Sequence, residues 1–130
     1  SYNKKVYVVE RKIHLPNNKT NHEFLDYDLV WGEASDHYYS HVLYEKYHDS
    51  ILENLVKKAF VVTKMGDYGK FDTRMDKDGN YYFIDANANC HFAPYKESTS
   101  EISLAMNTYG IRFIVLLKRL LQNTMREWGY

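Results

Sequence analysis

The spacing of apolar residues changes several times along the chain, and each change predicts an element. From Lys5 to Leu15 the text alternates and is rich in Val and Tyr (Val6, Tyr7, Val8, Val9), which predicts a strand. Pro16-Asn17-Asn18-Lys19 is a turn cluster that ends it. Phe24 to Trp31 reads as a short extended segment, and polar Gly32 to His41 as loop. Ile51, Leu52, Leu55, Val56, Ala59 and Phe60 then recur at intervals of three and four, predicting a helix from about Glu45 or His48 to about Lys64. Two strands follow, Tyr68 to Asp76 and Asn80 to Asn87, joined by Asp76-Lys77-Asp78-Gly79, where Asp-Gly signals a hairpin. Asn87 to Glu97 has no period and contains Pro94, so it is loop. Ser98-Thr99-Ser100-Glu101 has capping-box spacing and starts a helix that Gly110 ends. A last amphipathic helix runs from about Ile111 to Arg126, with Ile114, Leu117, Leu120 and Leu121 facing inward. The expectation is one α+β domain over residues 1–130, an antiparallel β-sheet with flanking helices.

Composition narrows the partners. The chain has 130 residues, 45% hydrophobic and 26% charged, enough for one globular core. Its thirteen Tyr and six Phe suit half-wet sheet faces more than base stacking. Seventeen basic residues balance seventeen acidic ones, so no net field draws nucleic acid or an anionic membrane. The single cysteine, Cys90, excludes an internal disulfide and a Cys-based zinc site, and fits a reducing compartment. No run approaches the roughly 20 apolar residues of a membrane span. The first residues lead straight into a strand with no signal-peptide pattern, so a cytoplasmic location is expected. The oligomeric state is not set by the sequence, and a homo-oligomer is left open.

The hairpin carries the candidate chemistry. With a two-residue turn at Asp78-Gly79, Asp72 lies opposite Asp85 and Lys70 opposite Asn87. Alternation then puts Lys70, Asp72, Asp85 and Asn87 on one face. Phe71, Met75, Tyr82, Ile84 and Ala86 form the other, core face. Carboxylates directly opposite on a sheet repel. A divalent cation relieves that repulsion, because Asp and Asn oxygens are hard ligands of the kind Mg²⁺ or Mn²⁺ accepts beside phosphate oxygens and water. Lys70 stands beside them, placed to meet an anionic substrate or intermediate. A three-residue loop with a bulge would shift this register by one. Two plainer readings stand alongside. Asp72 and Asp85 are solvated residues of an exposed face neutralised by Lys70 and Arg74, or Asp76 to Gly79 belongs to a calcium loop. The second fails because its first ligand position would fall on Arg74.

Tyr68-Gly69-Lys70-Phe71-Asp72, then Asp76 to Asn80, then Tyr82-Phe83-Ile84-Asp85-Ala86-Asn87-Ala88-Asn89 resembles the D-alanine:D-alanine ligase family of ATP-grasp enzymes. There a Tyr/Gly-Arg-hydrophobic-Asp strand, a hairpin and a Glu-Ala/Val-Asn-x-x-Pro strand end hold metals that bridge the ATP phosphates. The resemblance implies metal ligands at Asp72, Asp85 and Asn87, and in Lys70 a catalytic cation for the acyl-phosphate and tetrahedral intermediates. Weaker likenesses run through Val6 to Pro16, Asp26-Tyr27-Asp28 to Trp31, Lys57 to Phe60, and Gly110-Ile111-Arg112-Phe113. The chain then corresponds to the C-terminal portion of an ATP-grasp fold, with its metal-binding hairpin at about 67–87 and C-terminal helices at about 98–127. ATP and a small carboxylate and amine are the implied substrates, and Mg²⁺ or Mn²⁺ the implied cofactor.

Three departures from the family pattern stand out. Asp85 stands for the usual Glu and is one methylene shorter, and Lys70 stands for Arg and lacks its bidentate fork. Asn89-Cys90-His91-Phe92 replaces the small residues, Pro and Gly that shape the acceptor site, which makes Asn89, His91 and Ser98 candidate substrate contacts. His91 also reads as an ordinary surface histidine. No Gly-rich phosphate loop is present, and the family's nucleotide-binding lysines precede the matched region. The expectation is a fragment that needs an N-terminal part and shows weak or no ATP turnover alone. The alternative is a non-catalytic binding module on a degenerate ATP-grasp fold.

Overall fold

The computed structural model describes residues 4–13, 42–95 and 100–130. The turn expected at Pro16–Lys19, the segments expected at Phe24–Trp31 and Gly32–His41, and Ser98 all lie outside the described residues. Within them the order is β1 (Val9–Ile13), β2 (Val42–Lys46), α1 (Ser50–Val62), β3 (Lys70–Met75), β4 (Tyr81–Asn87), α2 (Glu101–Thr108) and α3 (Phe113–Glu127). The class is α+β, with antiparallel strands and flanking helices. In place of one sheet, the described strands form two separate two-stranded sheets, β1–β2 and β3–β4. Strand β2 had no forecast of its own. Its five residues are too few to show a period beside the longer helical stripe that follows.

That helix starts where Asp49 caps it. The Asp49 backbone is extended (φ −145°, ψ 114°), and its Oδ1 accepts from the amides of Ile51 (2.8 Å) and Leu52 (3.4 Å). Tyr81 reinforces the cap from β4: its hydroxyl donates to Asp49 Oδ2 at 2.6 Å and lies 2.9 Å from the Tyr47 hydroxyl. This bond, with the Ile51 amide, holds the Asp49 carboxyl below its ordinary pKa, and it pushes the Tyr81 hydroxyl well above its own. At the far end Lys64 adopts φ 54°, and the Met65 amide closes back on the Phe60 carbonyl at 3.2 Å.

The hairpin reaches the expected pairing by another route. Its loop is three residues, not two: the Asp76 amide bonds the Asn80 carbonyl (3.0 Å), and the Gly79 amide bonds the Asp76 carbonyl (3.1 Å). Gly79 takes φ 84°, the left-handed position that ends such a loop. The register therefore starts one residue off, as Met75↔Tyr81, Arg74↔Tyr82 and Thr73↔Phe83. A bulge between Asp72 and Thr73 then absorbs Ile84 as an extra residue on β4, and the ladder resumes as Asp72↔Asp85, Phe71↔Ala86 and Lys70↔Asn87. The bulge turns the tip over. Phe83, not Tyr82, shares the Phe71 face, with ring centroids 5.5 Å apart. Tyr82 joins the face of Asp76 and donates to its Oδ2 at 3.2 Å.

Helix α2 begins at Glu101 behind Ser100, so the cap sits two residues later than the Ser98 spacing suggests. Fully buried Ser103 receives the cap. Its amide donates to Ser100 Oγ (3.3 Å) and its hydroxyl to the Ala93 carbonyl (2.8 Å), tying the loop after β4 to the helix. In α3 the inward stripe is rotated from the expected one. Ile114 is 48% and Leu121 57% exposed, whereas Leu117 and Leu120 of the expected stripe stay half-buried, Leu116 joins Leu120 on the wall of an open groove, and Phe113 packs on Phe92 at 5.6 Å. Leu52, Cys90 and Met106 are the buried apolar residues among those described. Between β1, the hairpin and the three helices lies an open groove of about 1180 Å³, with Leu52, Phe71, Met106 and Leu116 on its apolar wall.

Candidate functional site

Strand β3 leaves Gly69 with Lys70 and Asp72 two residues apart on one face, and β4 sets Asn87 and Asp85 opposite them. Lys70 is the hub. Its Nζ lies 3.2 Å from Asp72 Oδ1 and also bonds Glu101 Oε2 at the first residue of α2. The other Glu101 oxygen, Oε1, accepts from Arg11 Nη1 of β1 at 2.7 Å. Four charged side chains from β1, β3 and α2 thus form one chain: Arg11, Glu101, Lys70, Asp72. Lys70, Asp72 and Glu101 stand on the groove wall, while Asp85 and Asn87 occupy exposed positions of β4. Burial works to lower the Lys70 pKa. The hydrogen bond and charge of Glu101, followed by those of Asp72, outweigh it and hold the ammonium above the ordinary 10.5.

The other sheet shows how this chain settles a pair of facing carboxylates without help. Glu10 is opposite Glu45, and Lys12 on the same face reaches both, at 3.7 and 2.7 Å. The lysine is theirs alone among the ion pairs described. In the hairpin the equivalent lysine is shared away to Glu101. The Asp85 carboxylate has no hydrogen bond or ion pair with any described residue, and Arg74 on the same face has contacts of its own. The second pair therefore keeps an uncompensated carboxylate beside a half-compensated one.

Asn87 turns its Oδ1 to the amide of Asn89 at 2.9 Å, which bends the chain as it leaves β4. Asn89 and His91 are both exposed, with buried Cys90 between them. The Cys90 carbonyl accepts from the Tyr68 hydroxyl at 3.2 Å, and burial raises its thiol pKa. No described side chain bonds His91. Two carboxylates and an amide oxygen suit a hard cation that keeps several waters. No group of three or more His, Cys, Asp or Glu able to hold a metal occurs among the described residues. Glu101 and Arg11 were absent from the sequence-based candidates. Glu101 looks there like a capping residue, and its pairing with a lysine 31 positions away leaves no trace in local spacing.

No family model matches the chain, and no solved structure matches it. It is similar to the D-alanine–D-alanine ligase of Saccharophagus degradans, with 25% identity over 107 residues. The match covers 82% of this chain and 33% of that ligase, so the chain spans about a third of that ligase's length. The likeness is distant and partial, and the α+β arrangement is consistent with part of an ATP-grasp fold. No helix among the described residues is long and apolar enough to cross a membrane.

Proposed function

We propose that this chain is the metal-holding part of an ATP-dependent carboxylate–amine ligase, working with an N-terminal part that binds the nucleotide. The observation that carries the reading is the Asp72–Asp85 pair, whose neighbouring lysine is shared with Glu101 so that Asp85 is left uncompensated. The partial likeness to a D-alanine–D-alanine ligase supports it. Asp72, Asp85 and Asn87 hold Mg²⁺ or Mn²⁺, which when bound neutralises charge on the phosphates of ATP. Lys70 offers its ammonium to the oxyanion of the acyl phosphate and of the adduct formed when the amine attacks. Asn89 and His91, with Ser98 as a further candidate outside the described residues, contact the acceptor amine substrate, and the polar Asn89 and His91, where the family has small residues, favour an acceptor other than D-alanine. A cytoplasmic residence goes with one buried, unpaired Cys90.

A second reading, a binding module that has lost turnover, is favoured by one observation: Lys70 is already engaged by two carboxylates. Calorimetric titration with Mg²⁺ separates the two. Under the ligase reading the chain gives a saturable, millimolar or tighter isotherm that Asp72→Asn and Asp85→Asn each weaken at least tenfold. A flat isotherm for the unaltered chain removes the ligase reading.

A further inference from the structure

We propose that Glu101 is a positioning residue that gives the Lys70 ammonium a second carboxylate, so that a divalent cation can displace it from Asp72 without leaving it unpaired. The inference rests on the metal-site reading above and deepens it. An ammonium bonded to a carboxylate occupies the lone pairs a cation needs and cancels the charge that attracts it. Lys70 lies against both Asp72 oxygens, at 3.2 and 3.3 Å, so a cation arriving at Asp72 must displace it. The displaced ammonium keeps an anionic partner, because Glu101 Oε2 already bonds it from the first residue of α2.

Arg11 makes that partner dependable. It grips Glu101 Oε1 at 2.7 Å from β1, so the carboxylate is fixed by one cation while it receives the other. Glu101 is also the first residue of α2, where the helix dipole favours a negative side chain. The Lys12 site is the built-in comparison: Lys12 bridges Glu10 and Glu45, and no carboxylate outside that facing pair reaches it among the described residues.

The test is a Mn²⁺ titration of the 130-residue chain, read by water-proton relaxation, for four forms: unaltered, Glu101→Gln, Lys70→Met, and both together. Glu101→Gln is expected to weaken Mn²⁺ binding roughly three- to tenfold, because Lys70 then rests on Asp72 alone. Adding Lys70→Met to it is expected to restore affinity to the unaltered value or better, since the competitor is gone. A Glu101 that merely supports the fold gives a different result: the double variant stays as weak as Glu101→Gln. That result overturns the proposal, as does unchanged affinity in Glu101→Gln, and in both cases the metal reading survives. If the unaltered chain and Lys70→Met both fail to relax water protons beyond free Mn²⁺, the metal reading falls and takes this inference with it.

Discussion

Substituting Gly79 by alanine tests the turn on which the pairing of Asp72 with Asp85 depends. Gly79 has φ 84°, and a Cβ built there meets nothing within 4 Å, so the penalty is purely one of backbone conformation. An L-residue in that left-handed region costs about 1–2 kcal/mol. Gly66 supplies the control: it too has empty space around a built Cβ, but not the left-handed φ. Gly66→Ala should leave stability unchanged or raise it by up to about 1 kcal/mol through the unfolded chain. For a chain of this size the Gly79→Ala penalty corresponds to a fall in Tm of about 3–10 °C. Urea and thermal unfolding followed by circular dichroism measure both variants. If the two alanines shift stability equally, the loop is not the three-residue turn described. The compensating bulge at Ile84 then has no reason to exist.

Four further outcomes follow from the same coordinates. Leu52→Ala, at a side chain 3% exposed, should cost about 2–4 kcal/mol in urea unfolding, whereas Ile51→Ala, 65% exposed, should cost less than about 0.5 kcal/mol; similar losses would mean α1 presents another face. Lys64→Gly, at φ 54° behind α1, should stabilise by about 0.5–1 kcal/mol, and a loss in thermal unfolding would contradict the left-handed cap. Cys90, whose thiol burial raises above its ordinary value, holds less thiolate near pH 8 and should react with iodoacetamide several-fold more slowly than after denaturation. Equal rates would place it at the surface. Lys70 has a raised folded-state pKa, so its contribution to stability is complete below 10.5 and is lost as pH climbs beyond it; alkaline unfolding of Lys70→Met should lack that step.

How much of this the sequence disclosed depends on the range of each interaction. Period-two and period-four patterns found the hairpin and the helices because those signals are local. The facing pair Asp72 and Asp85 was found as well, through a turn one residue too short and a bulge not foreseen, two departures that cancel at the site but not at Tyr82 and Phe83. Boundaries set by single side chains were missed, such as the Asp49 cap reinforced by Tyr81 from 32 residues away. The rotation of α3 was missed because Leu116, Leu117, Leu120 and Leu121 fit two adjacent stripes, and only packing against Phe92 and the groove chooses between them. Glu101 and Arg11, 90 residues apart, meet only in the fold.

The central claim is that the open face of the hairpin, and no other acidic group among the described residues, receives a divalent cation. Amide-resolved NMR of the unaltered chain during Mn²⁺ addition tests it residue by residue. The account predicts that signals of Asp72, Asp85 and Asn87 broaden first and together, and that Asp72→Asn abolishes the effect. Broadening centred on the Asp76–Asp78 loop, or on Glu10 and Glu45, would contradict it.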